Sequence, residues 1–278
     1  MIPDNFEYVA PSTLAETLQL LAERGEDAKV LAGGHSLIPI MKLRLAAPAL
    51  LIDIAHVAEL KGVSRDGDTL RIGAATTHNE ISRSNVVQQA APALSEAAGL
   101  IGDRQVRARG TIGGSIAHND PAADLPAVLL ALDAQVVARS STGDRVIPAP
   151  AFFRGMLEVD LQPNELVTEI RVPVSPKSAY VKIPNPASHY AIVGVAAVQA
   201  NGGTRIGITG AASVAFRASN AESAIGGQAL TPAVIADAAS KAHDGRELLG
   251  DIHASSEYRA HLVGVVTRRA LEAVSALP

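Results

Sequence analysis

No cysteine occurs among the 278 residues, and aromatic residues make up only 3% of them. Without cysteine the chain holds no disulfide, no thiolate nucleophile and no Cys-ligated iron–sulfur cluster of its own. A basic excess is also missing. The 24 basic residues are outnumbered by 28 acidic ones, for a net charge of −4, so no nucleic-acid footprint is expected. Neither H-E-x-x-H nor a clustered Cys/His spacing occurs, which argues against a metal site. Ser115 and His118 lie close in sequence, but no nucleophile elbow or third partner accompanies them, so a hydrolase triad is not supported. No uncharged apolar run reaches the roughly 18 residues of a membrane span. The longest, Ala191 to Ala200, reads as a buried strand. The stretch Met1-Ile2-Pro3-Asp4-Asn5-Phe6-Glu7 lacks the basic and apolar regions of a secretory signal. A soluble, cytoplasmic protein is the expectation.

What is present is glycine in a particular setting. Thr111-Ile112-Gly113-Gly114-Ser115 has an echo at Ala32-Gly33-Gly34-His35-Ser36. Each places two glycines just before a serine. Glycine permits positive φ and close approach of a ligand, and successive N–H groups can converge on an anion with the serine hydroxyl as a further donor. Two such loops could hold two phosphates of one dinucleotide. The alternative is a pair of ordinary Gly-Gly turns. Neither loop fits G-x-G-x-x-G or G-x-x-x-x-G-K-[ST], so Rossmann and P-loop readings fall away.

The rest of the chain, 47% hydrophobic and 19% charged, has material for a sizeable core. Thr13 and Glu16 have capping-box spacing before a helical Leu14, Leu18, Leu21 pattern that Gly25 can end. Lys29-Val30-Leu31 and Leu50 to Ile54 read as strands, with a helix over Leu37 to Leu45 between them. Hairpins are expected at Arg65-Asp66-Gly67-Asp68, at Ser140 to Asp144 and at Asn201-Gly202-Gly203. Helices are expected over Ala91 to Ile101, capped by Gly102, over Leu125 to Leu132, over Pro232 to Ala242 and over Glu257 to Val274. Thr77 and Glu80 form a second capping box. Strands joined by hairpins with helices inserted point to an α+β fold, not a doubly wound sheet. Pro173, Pro176, Pro184 and Pro186 mark the expected boundary. It separates residues 1–175, with subdomains of about 1–55 and 56–175, from residues 176–278.

The strings Ala32-Gly33-Gly34-His35-Ser36-Leu37-Ile38-Pro39-Ile40-Met41-Lys42, Thr111 to Ser115 and Asp120-Pro121-Ala122-Ala123-Asp124-Leu125-Pro126 resemble the FAD-binding medium subunits of molybdenum hydroxylases. That is the xanthine dehydrogenase and carbon monoxide dehydrogenase family, and the likeness runs in order over the whole chain. It implies a p-cresol methylhydroxylase-type FAD fold of two α+β subdomains, followed by a smaller domain with a three-stranded antiparallel sheet and helices. It carries FAD contact onto Ala32, Gly33, Gly34, His35 and Ser36 and onto Thr111, Ile112, Gly113, Gly114 and Ser115. It further suggests Asp124 as a sugar or ribityl partner, and Ile101 and Leu161 as walls of the ring, although composition alone reads those two as generic core. Asp124 could instead cap the helix from Leu125. Lys182 could stabilise a reduced flavin ring or be a solvated strand lysine. Tyr180 and Tyr190 are the nearest aromatic candidates for stacking. Some relatives in the wider flavin fold attach FAD through histidine, which would make His35 the attachment point, but this family binds FAD non-covalently. The implied partners are a molybdopterin-containing large subunit and a [2Fe–2S] small subunit, in a dimer of heterotrimers. In that setting the chain receives single electrons and passes pairs of them to an external acceptor. A stand-alone FAD oxidoreductase of the same fold, or a non-catalytic nucleotide-binding assembly module, are the alternatives.

Overall fold

The computed structural model describes residues 2–200 and 203–277. The first 55 residues build a three-stranded sheet. Strand β1 (Glu7–Val9) is followed by helix α1 (Leu14–Arg24), β2 (Ala28–Leu31), α2 (Leu37–Lys42) and β3 (Leu50–Asp53). Thr13 caps α1, its Oγ1 accepting from the Glu16 amide at 3.2 Å, and Gly25 ends the helix. Glu16 does not complete the box; its carboxylate accepts from the Ser12 amide instead. Both pairings of this sheet, in order β1-β3-β2, are parallel. Parallel neighbours need crossovers, and α1 and α2 supply them, so the hairpin pattern of the rest of the chain does not extend to this unit.

The second unit is an antiparallel sheet with helices laid over it. It begins with β4 (Val63–Asp66) and β5 (Thr69–Gly73), the expected hairpin. A run of short helices follows: α3 (His78–Arg83), α4 (Asn85–Ala90), α5 (Pro92–Leu100), α6 (Arg104–Arg109), α7 (Ile112–His118) and α8 (Asp124–Ala131). Then come β6 (Gln135–Ser140), β7 (Gly143–Pro148), the single turn α9 (Ala149–Phe152), the small β8 (Phe153–Gly155) and β9 (Glu158–Val159) pair, and β10 (Leu166–Pro173). The five-stranded order is β4-β5-β10-β6-β7, so β10 returns to fill the centre between the two hairpins. Thr77 and Glu80 form a complete capping box at α3. Helix α5 stops at Leu100 with Ile101 at its C-cap, one residue before Gly102. Helix α6 forms in a polar stretch. Asp103 starts it by accepting from the Val106 amide at 2.8 Å, which is ordinary N-cap chemistry.

The third unit holds β11 (Ser178–Pro184), β12 (Ala191–Ala200) and β13 (Gly203–Thr209) as an antiparallel sheet, with the two-residue β14 (Phe216–Arg217) added at its edge. Helices α10 (Ser219–Ile225), α11 (Pro232–Ser240) and α12 (Ser256–Ser275) follow. The turn expected at Asn201-Gly202-Gly203 falls mostly outside the described residues. Strand β12 explains its nearly unbroken apolar run. Ala196 and Val198 enter the core under the central sheet, while Val193, Val195 and Ala197 enter the core shared with α12. Alternate side chains leave a strand on opposite faces, so a strand between two cores is apolar at every position. Helix α8 is buried throughout and packs between α5 and β13, as a helix apolar on all sides does.

Candidate functional site

A cavity of about 1030 Å³ runs between the first two units and reaches the third. That is the upper end of the roughly 300–1,000 Å³ typical of small-molecule sites. Every candidate flavin contact singled out from the sequence lines it except Ile112, Tyr180 and Lys182. Ile112 points away from the cavity and is fully buried in the central core.

The two glycine segments are not equivalent. The first is a true loop between β2 and α2. Gly34 alone of the four glycines has positive φ, at 76°. Among the described residues the amides of Gly33, Gly34, His35, Ser36 and Leu37 donate to no acceptor in the chain. Consecutive free N–H groups of this kind make an anion-binding nest. The second segment is instead the start of α7. Thr111 is its N-cap, accepting from the Gly114 amide at 3.1 Å. The amides of Ile112, Gly113 and Ser115 are taken by Thr76 O, Ala74 O and Thr111 O. The expected second nest is therefore absent, because the N-cap and the neighbouring strand end consume its donors. What this segment offers the cavity is the Ser115 side chain and an open backbone surface.

Each Gly-Gly pair divides its work. A Cβ on Gly33 would collide with Arg109 O and stand 2.7 Å from Gly110 Cα, and one on Gly113 would stand 2.6 Å from the Ala74 Cβ. These two glycines are demanded by backbone packing. A Cβ on Gly114 would meet only Thr111 Oγ1 at 3.0 Å and the Ala32 Cβ at 3.7 Å. The backbone of Gly114 is thus left bare towards the cavity and the first loop.

Asp124 reaches the cavity from the first turn of α8. It is not the N-cap, a position that Ala123 occupies. Tyr180 donates its hydroxyl to Asp124 Oδ1 at 2.5 Å, and Lys182 Nζ lies 3.0–3.1 Å from the carboxylate. Burial raises the Asp124 carboxyl above the ordinary range, while Lys182 and Tyr180 act against that. Burial first, then Asp124, pushes the Tyr180 phenol well up. Tyr180 is therefore a buried donor, not a stacking surface. Lys182 spends its remaining N–H groups on Leu100 O and His189 O, both at 2.8 Å. Its ammonium is sealed within the protein and does not face the cavity as a ring contact. His189 in turn places Nδ1 3.1 Å from Gly102 O. Lys182 and His189 together clamp the 185–190 loop against the end of α5. That loop presents Tyr190, the one Phe, Tyr or Trp among the described residues lining the cavity, which Ile101 and Leu161 also line.

His78 was no more than one of several scattered histidines in the sequence. In the fold it lines the cavity at the start of α3 and packs on Gly110. Its backbone N–H donates to Gly110 O at 2.9 Å. Burial, then the charges of His35 and Arg107, push its imidazole down to about 4. The Thr77–Glu80 capping box was the legible signal for its place on the helix; its pairing with residue 110 was not legible. Among the described residues no group of three or more His, Asp or Glu side chains could hold a metal ion.

The profile described as "FAD binding domain in molybdopterin dehydrogenase" matches residues 4–175, and that of the "CO dehydrogenase flavoprotein C-terminal domain" matches residues 178–274. The chain belongs to the FAD-binding subunits of the molybdenum hydroxylases. It is 42% identical to the carbon monoxide dehydrogenase medium chain of Hydrogenophaga pseudoflava over 98% of both chains. It is 38% identical to the 6-hydroxypseudooxynicotine dehydrogenase complex subunit alpha of Paenarthrobacter nicotinovorans, over 98% of this chain and 95% of that one. The reconstituted CO dehydrogenase from Oligotropha carboxidovorans contains a chain that superposes with a TM-score of 0.95, at 36% identity and full coverage of both. FAD is accordingly the cofactor, and the α+β architecture is that of the flavoprotein subunit. The site fits it. The orphan amides of 33–37 and the serine hydroxyls suit phosphate, and Asp124 with the Ile101, Leu161 and Tyr190 surface offers a carboxylate and apolar walls. No described helix is long and apolar enough to cross a membrane.

Proposed function

We propose that this subunit receives electrons from a [2Fe–2S] partner subunit and passes them to an external acceptor, while a molybdopterin-containing large subunit oxidises the primary substrate. The observation that carries this reading is the run of five unpartnered amides, Gly33 to Leu37, opening into a dinucleotide-sized cavity. Bound FAD supplies the two-electron store, filled singly and emptied to the acceptor. The chain's residues do the holding. The first loop grips phosphate through backbone dipoles. Asp124 accepts from sugar or ribityl hydroxyls, fixed in place by Tyr180 and Lys182. The clamped 185–190 loop brings Tyr190 over the apolar end.

The chain carries no cysteine, so the clusters that deliver electrons must lie on another subunit. We assign residues 1–175 to FAD binding and residues 176–278 to the C-terminal domain, in a cytoplasmic dimer of heterotrimers. The two relatives above are named for different substrates, which agrees with substrate choice residing in the large subunit. Anaerobic stopped-flow on the purified chain tests the relay. Its flavin should stay oxidised with candidate organic substrates and bleach only after the iron–sulfur and molybdenum subunits are added. Turnover of an organic substrate by the lone chain at an ordinary enzymatic rate would replace the relay with a stand-alone flavin oxidoreductase.

A further inference from the structure

The corner of the cavity around Gly110 holds hydrogen-bond donors and positive charge. The free amides of 33–37 are on one side. Gly33 abuts Gly110, and the cavity-lining His78 ring also packs on Gly110, its Nε2 3.0 Å from where a Gly110 Cβ would be. The charges acting on His78 are those of His35 and Arg107. From the other elements packed on α3, Arg104 and Arg109 of α6 and Glu96 of α5 are the remaining charged side chains.

The two nitrogens of His78 differ. Nδ1 is fully buried and has no hydrogen-bond partner among the described residues. A proton there would be a buried donor without an acceptor, which costs more than a bare lone pair in the same place. Placing the neutral ring's proton on Nε2, the nitrogen next to Gly110, avoids that cost. A neutral N–H donor pays no charge-burial cost and still points positive charge at an anion.

We infer that His78 is a binding residue for the diphosphate of the dinucleotide, presenting Nε2–H to the same corner that the amides of the first loop face. The inference rests on the FAD reading above and adds to it a side chain from outside both glycine segments.

The test uses the full chain stripped of flavin, titrated with FAD, with ADP and with riboflavin. His78→Phe should weaken FAD and ADP by about tenfold, the scale of one neutral hydrogen bond, and leave riboflavin unchanged. His78→Gln, which can place an N–H at similar reach, should stay within about threefold of the parent. A second measurement, ¹⁵N NMR of the parent's histidines, does not depend on how the fold tolerates a phenyl ring. His78 should be the Nε2–H tautomer, and its signal should move with ADP but not with riboflavin. An Nδ1–H tautomer, or parental FAD and ADP affinity in a folded His78→Phe, would overturn the inference while leaving the flavoprotein reading intact. A parent chain that binds no FAD at all would bring down that reading, and this inference with it.

Discussion

Thr77 and Thr111 face each other across a single antiparallel bridge, and each caps the helix that follows it. The bridge is reinforced on both sides, by His78 N–H to Gly110 O at 2.9 Å and Ile112 N–H to Thr76 O at 3.1 Å. Two helix starts are thus tied back to back, and the one at Thr111 forms a wall of the cavity. Thr111→Ala and Thr77→Ala should each cost about 1 kcal/mol, the usual worth of an N-cap, read as a shift in urea midpoint. Flavin content should fall only in Thr111→Ala. Equal flavin loss in both variants would mean that the bridge, not the wall, governs binding.

Glycine substitutions should separate packing from ligand contact. Gly33→Ala forces a methyl into the backbone of residues 109–110, so the loop must move, lowering stability and flavin content together. Gly114→Val meets no backbone but puts branched bulk where the cavity reaches the helix start. Its flavin-free form should melt within a few degrees of the flavin-free parent while FAD stoichiometry collapses. Full FAD occupancy in Gly114→Val would remove the second segment from the site.

The contrast between these glycines also shows what the sequence could and could not disclose. Caps, hairpins and the apolar β12 are local patterns, and Thr13, Thr77 and the turn at Gly67 announce themselves within a few residues. The duplication Gly33-Gly34/Gly113-Gly114 looks symmetrical in sequence because the same letters recur. It is asymmetrical in space because Thr111 lies three residues before Gly114 and consumes its amide, whereas no such cap precedes Gly34. The Gly-Gly-Ser pattern reads as a loop at 111–115, and the Thr111 cap with tertiary pairing to Ala74 and Thr76 starts a helix there instead. The surroundings of Lys182 and His78 were illegible for a different reason. The partners that define them, Asp124, Leu100 and His189 for one and Gly110 for the other, are fixed by the fold and by no spacing along the chain.

Lys182 and Asp124 form a buried pair, with side chains 3% and 4% exposed. Removing one member of such a pair strands the other charge, at a cost of about 3–5 kcal/mol. Lys182→Met should therefore lower the melting temperature sharply and free the 185–190 loop, seen as faster amide exchange at residues 188–190. Adding Asp124→Asn should recover part of the stability, because the stranded carboxylate is gone, but not the loop, which still lacks the bond to His189 O. A Lys182→Met chain as stable as the parent would show that the ammonium is not a tie between these segments.

The imidazole of His78 is pushed from 6.5 down to about 4 by burial, with His35 and Arg107 adding to the effect. A histidine of depressed pKa contributes its full stability above the unfolded value, and that contribution drains away as pH falls. In the window from about 6.5 to 4 the unfolded chain takes up the proton and the folded chain does not. The unfolded state therefore binds more protons, and stability drops with pH until about 4, below which this contribution is flat. The full loss corresponds to about 3 kcal/mol. Carboxylates titrate through part of the same range, so the absolute curve of the parent mixes several groups. The difference between the parent and His78→Gln isolates the histidine. Urea midpoints of the flavin-free chains should converge steadily between pH 7 and pH 4, the parent losing stability that the variant does not. Saturating FAD should shrink that convergence, since an anion beside the ring draws the folded pKa back up. Parallel curves for the two flavin-free chains would show that His78 already shares its proton equilibrium with solvent, and that its burial beside Gly110 imposes no penalty on the charged form.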